Sequence, residues 1–244
     1  MNEVTDLIAW NQYYGWYGGE PAGIGKWADA VHKKYPEKPV GISEYGAGAS
    51  ILHQQEELKK PVANSYWHPE NWQAFFHEEH WKAIDQRPYL WGTFVWNMFD
   101  FAVPMWSRGG VPARNLKGLM TFDRKIKKDS YYWYKANWSE EPVLYLTQRR
   151  NTDRERRRTS VTVYSNIGTP TVYLNGKELT GIRKGYTDVH YVFDNIMLEQ
   201  GENKIKTVAT HNGKEYTDEI VWNYTSEKKR TADSRENKKE HAGW

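Results

Sequence analysis

Lys38-Pro39-Val40-Gly41-Ile42-Ser43-Glu44-Tyr45-Gly46-Ala47-Gly48-Ala49 is the stretch on which the reading of this chain turns. Val40 to Ile42 form a short apolar run of β character. The run reaches a carboxylate at Glu44 and then gives way to Gly46, Ala47, Gly48 and Ala49, residues that suit a loop needing close backbone approach. A strand, an acid at its C-terminal end and a small-residue loop is how a (β/α)8 barrel presents a catalytic residue. The same letters also describe an ordinary strand-end acid held by a nearby Arg or Lys, and a lone Glu does not separate the two.

Upstream, Asp6 to Trp10 is an apolar strand run that opens into Asn11-Gln12-Tyr13-Tyr14-Gly15-Trp16-Tyr17-Gly18-Gly19, a wide loop lined with rings. Gly25 to Tyr35 has helical spacing, with Trp27, Ala30, Val31 and Tyr35 on one side. Lys33 and Lys34 suit the negative end of its dipole, and Pro36 and Pro39 close it. The order strand, helix, strand is a βαβ unit and implies parallel pairing.

Downstream, residues 51–70 are polar, carry Pro61 and Pro69, and read as a long loop. Pro69 to Gln86 reads as a helix with Trp72, Phe75, Phe76 and Ala83 at three- and four-residue steps. Its His77-Glu78-Glu79-His80 lacks the four-residue histidine spacing of a zincin and reads as a solvated face. Tyr89 to Asn97 is a third strand, apolar almost throughout, as for a barrel strand buried on both faces. Met98 to Leu116 is another long loop, Gly118 to Arg124 a short return, and Asp129 to Ala136 an aromatic helix.

The pattern changes near Trp138. Short β-rich runs follow at Val143–Thr147, Ser160–Tyr164, Pro170–Leu174, His190–Phe193, Asn203–Ala209 and Glu219–Tyr224. Asn175-Gly176 and Asn212-Gly213 are hairpin-turn signals. The strand count and spacing imply a small antiparallel, immunoglobulin-like sandwich. The basic run Arg154 to Arg158 has Glu155 within it and no ring, so it reads as a solvated loop rather than a nucleic-acid patch. The last stretch is charged and without apolar period, and reads as a disordered tail.

Composition narrows the function classes. The chain has 244 residues, enough for one large or two modest domains. A net charge of +3 is too small to argue for nucleic acid. The absence of cysteine excludes disulfides, thiolate metal sites and a Cys nucleophile. No apolar run approaches the roughly 20 residues of a membrane span, and the start carries no signal-peptide pattern. Aromatics make up 15%, with 13 Trp and 17 Tyr, and such rings stack on the C–H faces of sugars as readily as they build cores.

Four segments in order resemble glycoside hydrolase family two, the family of β-galactosidases and β-glucuronidases. Asn11 to Tyr17 is similar to the loop after the sixth barrel strand, and Ile42 to Gly46 to the nucleophile segment after the seventh. Trp91 to Phe101 is similar to the eighth strand. Asn115 to Lys125, with Lys128 to Tyr132, is similar to the signature that closes the barrel. The resemblance implies a fold of class α/β plus all-β. Residues 1–138 would be the C-terminal portion of a TIM (β/α)8 barrel (strands six to eight), 139–224 an immunoglobulin-like sandwich and 225–244 a disordered charged tail.

It also implies a retaining mechanism, in which one carboxylate attacks the anomeric carbon while a second, about 5 Å away, protonates the leaving oxygen. Glu44 would be the nucleophile and Tyr13 the residue that orients it. Trp96, Asn11, Asn97, Asn115 and Lys117 would bind the sugar. No cofactor or metal is expected. The second carboxylate of the family follows an Asn after the fourth strand; Asn2-Glu3 has those letters but stands too near the sixth-strand segment, so this residue is expected outside the chain.

A terminal β-galactoside is the preferred substrate, because of the Trp106 to Gly110 insertion and the sandwich. A glucuronide, whose carboxylate an Asn-x-Lys pair like Asn115 and Lys117 would hold, is the alternative. A non-catalytic carbohydrate-binding or structural fragment is the alternative from another class. The expected partner is a carbohydrate, with no nucleic acid and no membrane span. Homo-oligomers or association through exposed half-barrel edges are expected, and the family's habit suggests a periplasmic or extracellular place.

Overall fold

The apolar segments build an open parallel sheet first. In the computed structural model, which describes residues 4–226, strand β1 (Ile8–Asn11) leads through helix α1 (Gly23–Lys34) into β2 (Val40–Tyr45). Helix α2 (Glu70–Asp85) then leads into β3 (Leu90–Val95). The sheet order is β1-β2-β3, both pairs parallel. Asn2, Glu3 and the tail beyond residue 226 lie outside the described residues. The chain divides into two units, residues 4–53 with 58–130, and residues 54–57 with 131–226.

In the first unit β2 is the central strand, and Val40, Ile42 and Tyr45 are fully buried. Gly46 follows because nothing larger fits: a Cβ there would stand 2.0 Å from the carbonyl oxygen of Trp96. This approach lets the Trp96 amide donate to Tyr45 O at 2.7 Å, stitching the ends of β2 and β3 together. Contrary to the sequence reading, β3 is not buried on both faces. It is an edge strand among the described residues, with Trp91 42% and Phe94 52% exposed. No closed barrel is present among the described residues.

The helices bury more than their spacing suggests; in α2 Trp72, Phe76 and Ala83 are buried as expected. In α1 the inner residues are Ile24, Gly25 and Ala28, with Ala30 exposed. In α2 the His77 to His80 stretch is not a solvated face: His77, Glu78 and His80 are buried. The His80 ring lies parallel to Tyr45 at 5.5 Å and against Phe76 at 3.8 Å, with Nδ1 at 2.8 Å from Phe76 O. The rings of Phe76 and Tyr45 supply a flat apolar slot, and a neutral imidazole fills it. Past β3, two short strands, β4 (Phe101–Ala102) and β5 (Arg114–Asn115), pair antiparallel around the loop that carries Trp106 and Arg108. Helix α3 (Asp129–Trp138) starts in this unit.

The second unit is a two-sheet sandwich. Its strands are β6 (Leu144–Leu146), β7 (Asp153–Arg154), β8 (Arg158–Ser165), β9 (Thr171–Leu174), β10 (Lys177–Glu178), β11 (Ile182–Lys184), β12 (His190–Met197), β13 (Gly201–His211) and β14 (Lys214–Tyr224). One sheet runs β10-β9-β13-β14-β7, the other β11-β12-β8-β6. Leu146, Val161, Val163 and Phe193 of one face meet Val172, Ile205, Ile220 and Trp222 of the other. Both Asn-Gly pairs turn with positive φ, 51° and 81° at Asn175-Gly176 and 51° and 74° at Asn212-Gly213.

The basic run is not a solvated loop throughout. Arg154 lies in β7, 1% exposed, with its guanidinium 3.7 Å from the Trp222 ring. The backbone amides of Glu155 and Arg156 donate to Glu56, which belongs to the same unit. No helix among the described residues is long and apolar enough to cross a membrane.

Candidate active site

Glu44 sits at the C-terminal end of the central strand, half-buried, where the pleat turns its side chain out of the sheet. The loop after β1 brings the rings to it. The Gln12 amide donates to Glu44 O at 2.7 Å, and the next residue, Tyr13, donates its hydroxyl to Glu44 Oε2 at 2.6 Å. Burial, and then the bond to Glu44, push the Tyr13 phenol well above the usual tyrosine range, so it stays a donor. The Tyr13 ring packs edge-on against Tyr17 at 5.2 Å.

Lys117 comes to the same rings from the loop after β5. It is 4% exposed, and its ammonium donates to the Tyr17 hydroxyl at 2.9 Å. Its Nζ lies 5.0 to 5.7 Å from the ring centres of Tyr17, Tyr13, Trp106 and Trp16. Burial is the main cause that lowers its pKa, while Tyr17 opposes the shift. No carboxylate lies within ion-pair distance of it among the described residues. The ammonium is caged by π faces and attracted by Glu44 only from beyond ion-pair distance, which leaves it able to take a carboxylate partner. Asn115 does not face outward: its Oδ1 accepts from the Lys117 amide at 2.9 Å and bends the backbone so that the lysine points to the rings.

The other candidates divide. Asn97 is joined to this loop through its backbone, with its N–H donating to Lys117 O at 3.1 Å and its C=O accepting from Leu119 at 2.9 Å. Its side chain caps Phe99 N at 3.0 Å. Trp96, half-buried, packs edge-on to Phe101 at 5.7 Å. Asn11 pairs in register with Glu44, but its exposed side chain accepts from Ser43 at 2.7 Å rather than joining the Tyr13–Glu44 bond. Tyr17 and Trp16 were given no role of their own by sequence, and Trp106 entered only through its insertion; only the fold shows that all three surround Lys117, which is 100 residues beyond Tyr17.

A cavity of about 350 Å³ lies to one side, lined by Ala49, Ile51, Arg114, Leu116 and Phe122 among others, and does not include Glu44. Among the described residues no three His, Asp or Glu side chains are grouped as a metal ion would need.

No family model matches the chain. Its sequence is 46% identical over 229 residues to a β-glucuronidase of Bacteroides fragilis, covering 93% of this chain and 33% of that protein. The chain is homologous to the β-glucuronidases and β-galactosidases of glycoside hydrolase family two. A crystal structure of a candidate β-galactosidase from Bacteroides fragilis superposes with a TM-score of 0.89 at 60% identity, over 94% of this chain and 34% of that one. The FMN-binding β-glucuronidase of Facaelibacterium prausnitzii L2-6 superposes with a TM-score of 0.82 at 38% identity, over 92% and 33%. The chain thus spans about a third of the length of these family-two relatives.

Proposed function

We propose that this chain is the nucleophile-bearing part of a retaining β-glycosidase. Residues 1–138 would contribute strands six to eight of a (β/α)8 barrel, and residues 139–224 an immunoglobulin-like sandwich. The exposed edges of β1 and β3 support this reading, since such edges are normally closed by neighbouring strands.

The Tyr13–Glu44 hydrogen bond is the observation that carries the chemistry. A carboxylate held by a neutral phenol keeps one oxygen oriented and leaves the other to attack. In the reaction, Glu44 forms a bond to the anomeric carbon as the bond to the leaving oxygen breaks. A second carboxylic acid, supplied by another part of the enzyme, protonates that oxygen. The same residue then takes a proton from water, which displaces Glu44 and restores it.

The Lys117 ammonium, which has no carboxylate at ion-pair distance among the described residues, turns the substrate reading toward the glucuronide. A C6 carboxylate would complete the ion pair that Lys117 lacks, and the 46% identical relative carries the glucuronidase name. The galactoside remains the second reading, because the 60% identical structure is that of a candidate β-galactosidase. A periplasmic or extracellular place accompanies either reading.

The test is hydrolysis of nitrophenyl β-glucuronide and nitrophenyl β-galactoside by the full-length enzyme that carries this sequence, beside Glu44→Gln. Cleavage of the glucuronide with retained anomeric configuration, lost in Glu44→Gln, is expected. Cleavage of the galactoside alone would move the substrate. Full activity in Glu44→Gln would remove the nucleophile.

A further inference from the structure

Two buried side chains outside the ring cluster each bridge the same pair of loops. One loop is Ala47 to Ala49, three residues beyond Glu44. The other is Leu116 to Gly118, which contains Lys117. Gln73, from the first turn of α2 and fully buried, donates from Nε2 to Ala47 O at 2.8 Å and to Gly118 O at 3.2 Å. Its Oε1 accepts from the Ser130 hydroxyl at 2.8 Å. With two carbonyls on one side, only one orientation of the amide satisfies the network, and both N–H groups are used.

Lys128, also fully buried, donates to Ala49 O at 2.9 Å, to Leu116 O at 3.1 Å and to Asp100 Oδ1 at 2.8 Å. The same Asp100 oxygen accepts from the Gly118 amide at 2.9 Å. A direct backbone bond, Ala49 N to Leu116 O at 2.8 Å, lies between the two bridges.

We propose that Gln73 and Lys128 are positioning residues that form a clamp, fixing the distance between Glu44 and Lys117 without either touching the sugar. This rests on the glycosidase reading, in which Glu44 reacts at the anomeric carbon while Lys117 holds the far side of the same ring. Two groups that must engage one rigid ring need a fixed separation, and the loop Ala47-Gly48-Ala49 has no long side chain with which to set it. The clamp acts on backbone carbonyls, so it holds the loops whatever their side chains do. Gly118 fits the same purpose: a Cβ there would stand 2.0 Å from the amide nitrogen of Asp100.

The experiment uses the full-length enzyme with Gln73→Leu, and with the milder Ser130→Ala, which frees the amide without emptying its site. Hydrogen exchange by mass spectrometry reads the clamp whether or not the enzyme turns over. Exchange in peptides spanning 47–49 and 115–118 should rise, with peptides of the sandwich unchanged. Kinetics are read on whichever nitrophenyl sugar the wild type cleaves. Misplacement by about 1 Å from outside the chemistry can cost roughly 100-fold, so kcat/KM should fall roughly 10- to 100-fold at temperatures well below the melting point, which Gln73→Leu lowers more than Ser130→Ala because it leaves two buried carbonyls unpaired.

Exchange unchanged in both loops, or raised equally everywhere, overturns the clamp. So does loosening of both loops with kcat/KM intact. A wild type that cleaves neither sugar would refute the glycosidase reading and with it the catalytic purpose of the clamp, while the exchange pattern would still decide whether the clamp exists.

Discussion

The hydroxyl of Tyr13 and Oε2 of Glu44 stand 2.6 Å apart, although 31 residues separate them in the chain. The parallel pairing of β1 and β2 brings them together, because it sets both strands to end at the same edge. A hydrogen bond to a charged group is worth about 1.5–3 kcal/mol, roughly 10- to 150-fold. Tyr13→Phe in the full-length enzyme should therefore lower kcat by about that factor, with little change in melting temperature. An unchanged kcat would leave Tyr13 as packing only.

Lys117→Met separates binding from stability. Truncating one partner of a buried charge pair costs about 2–5 kcal/mol, so kcat/KM on the glucuronide should fall by roughly 30-fold or more. The free protein should lose no stability and can gain some, because an unpaired buried charge is removed. Steady-state kinetics beside a thermal melt check this. Equal losses on glucuronide and galactoside would deny Lys117 its part in carboxylate recognition.

Gly46→Ala introduces a methyl group 2.0 Å from Trp96 O. The obstacle is backbone, so the strand ends must part. Overpacking of this kind costs about 1–3 kcal/mol and sometimes more. The melting temperature should drop and activity should fall with it. A variant as stable and active as the wild type would mean that β2 and β3 do not meet as described.

Acid should loosen the first unit before carboxylate titration begins. Burial holds His68 and His80 at about 3 and His77 well below the usual histidine range. The unfolded chain takes up their protons near pH 6.5 and the folded unit does not. The unfolded state thus binds more protons, and stability falls as pH drops from about 6.5 toward 3, by up to about 1.4 kcal/mol per pH unit for each histidine. Urea midpoints at pH 7.5, 6 and 5 measure this, and a flat series would contradict it.

In the sandwich, Trp222 is 1% exposed, and Trp222→Ala should cost about 3–5 kcal/mol. Arg154, stacked on it, donates to Gln148 Oε1 at 3.1 Å but finds no acceptor for Nε among the described residues, and burial lowers it to about 10. Arg154→Met, which keeps the stem and removes the charge, should be near neutral in a denaturant melt. A loss as large as that of Trp222→Ala would show that the charge itself stabilises the sandwich.

Some features could be read from the letters because one local cause fixes each. An apolar run ending in an acid and small residues puts Glu44 at a strand end. Asn-Gly between alternating residues makes a hairpin, since both positions need positive φ. Features with distant causes could not be read in this way. His77 and His80 look like a polar face until Tyr45 and Phe76 are seen around them. Arg154 looks solvated until β14 places Trp222 beneath it. Tyr17 is one ring among four until Lys117, 100 residues later, reaches its hydroxyl.

Strand partners lie at very unequal distances along the chain, and this sets a clock. β13 and β14 meet across a two-residue turn, whereas Ile8 must find Val40, Val40 must find Leu90, and Asn223 must find Asp153. Pairing over long separations is slow because the intervening chain must be ordered first. The β13–β14 hairpin should therefore close first, and the sheet that bears Glu44, like the pairing of β14 with β7, should close after it.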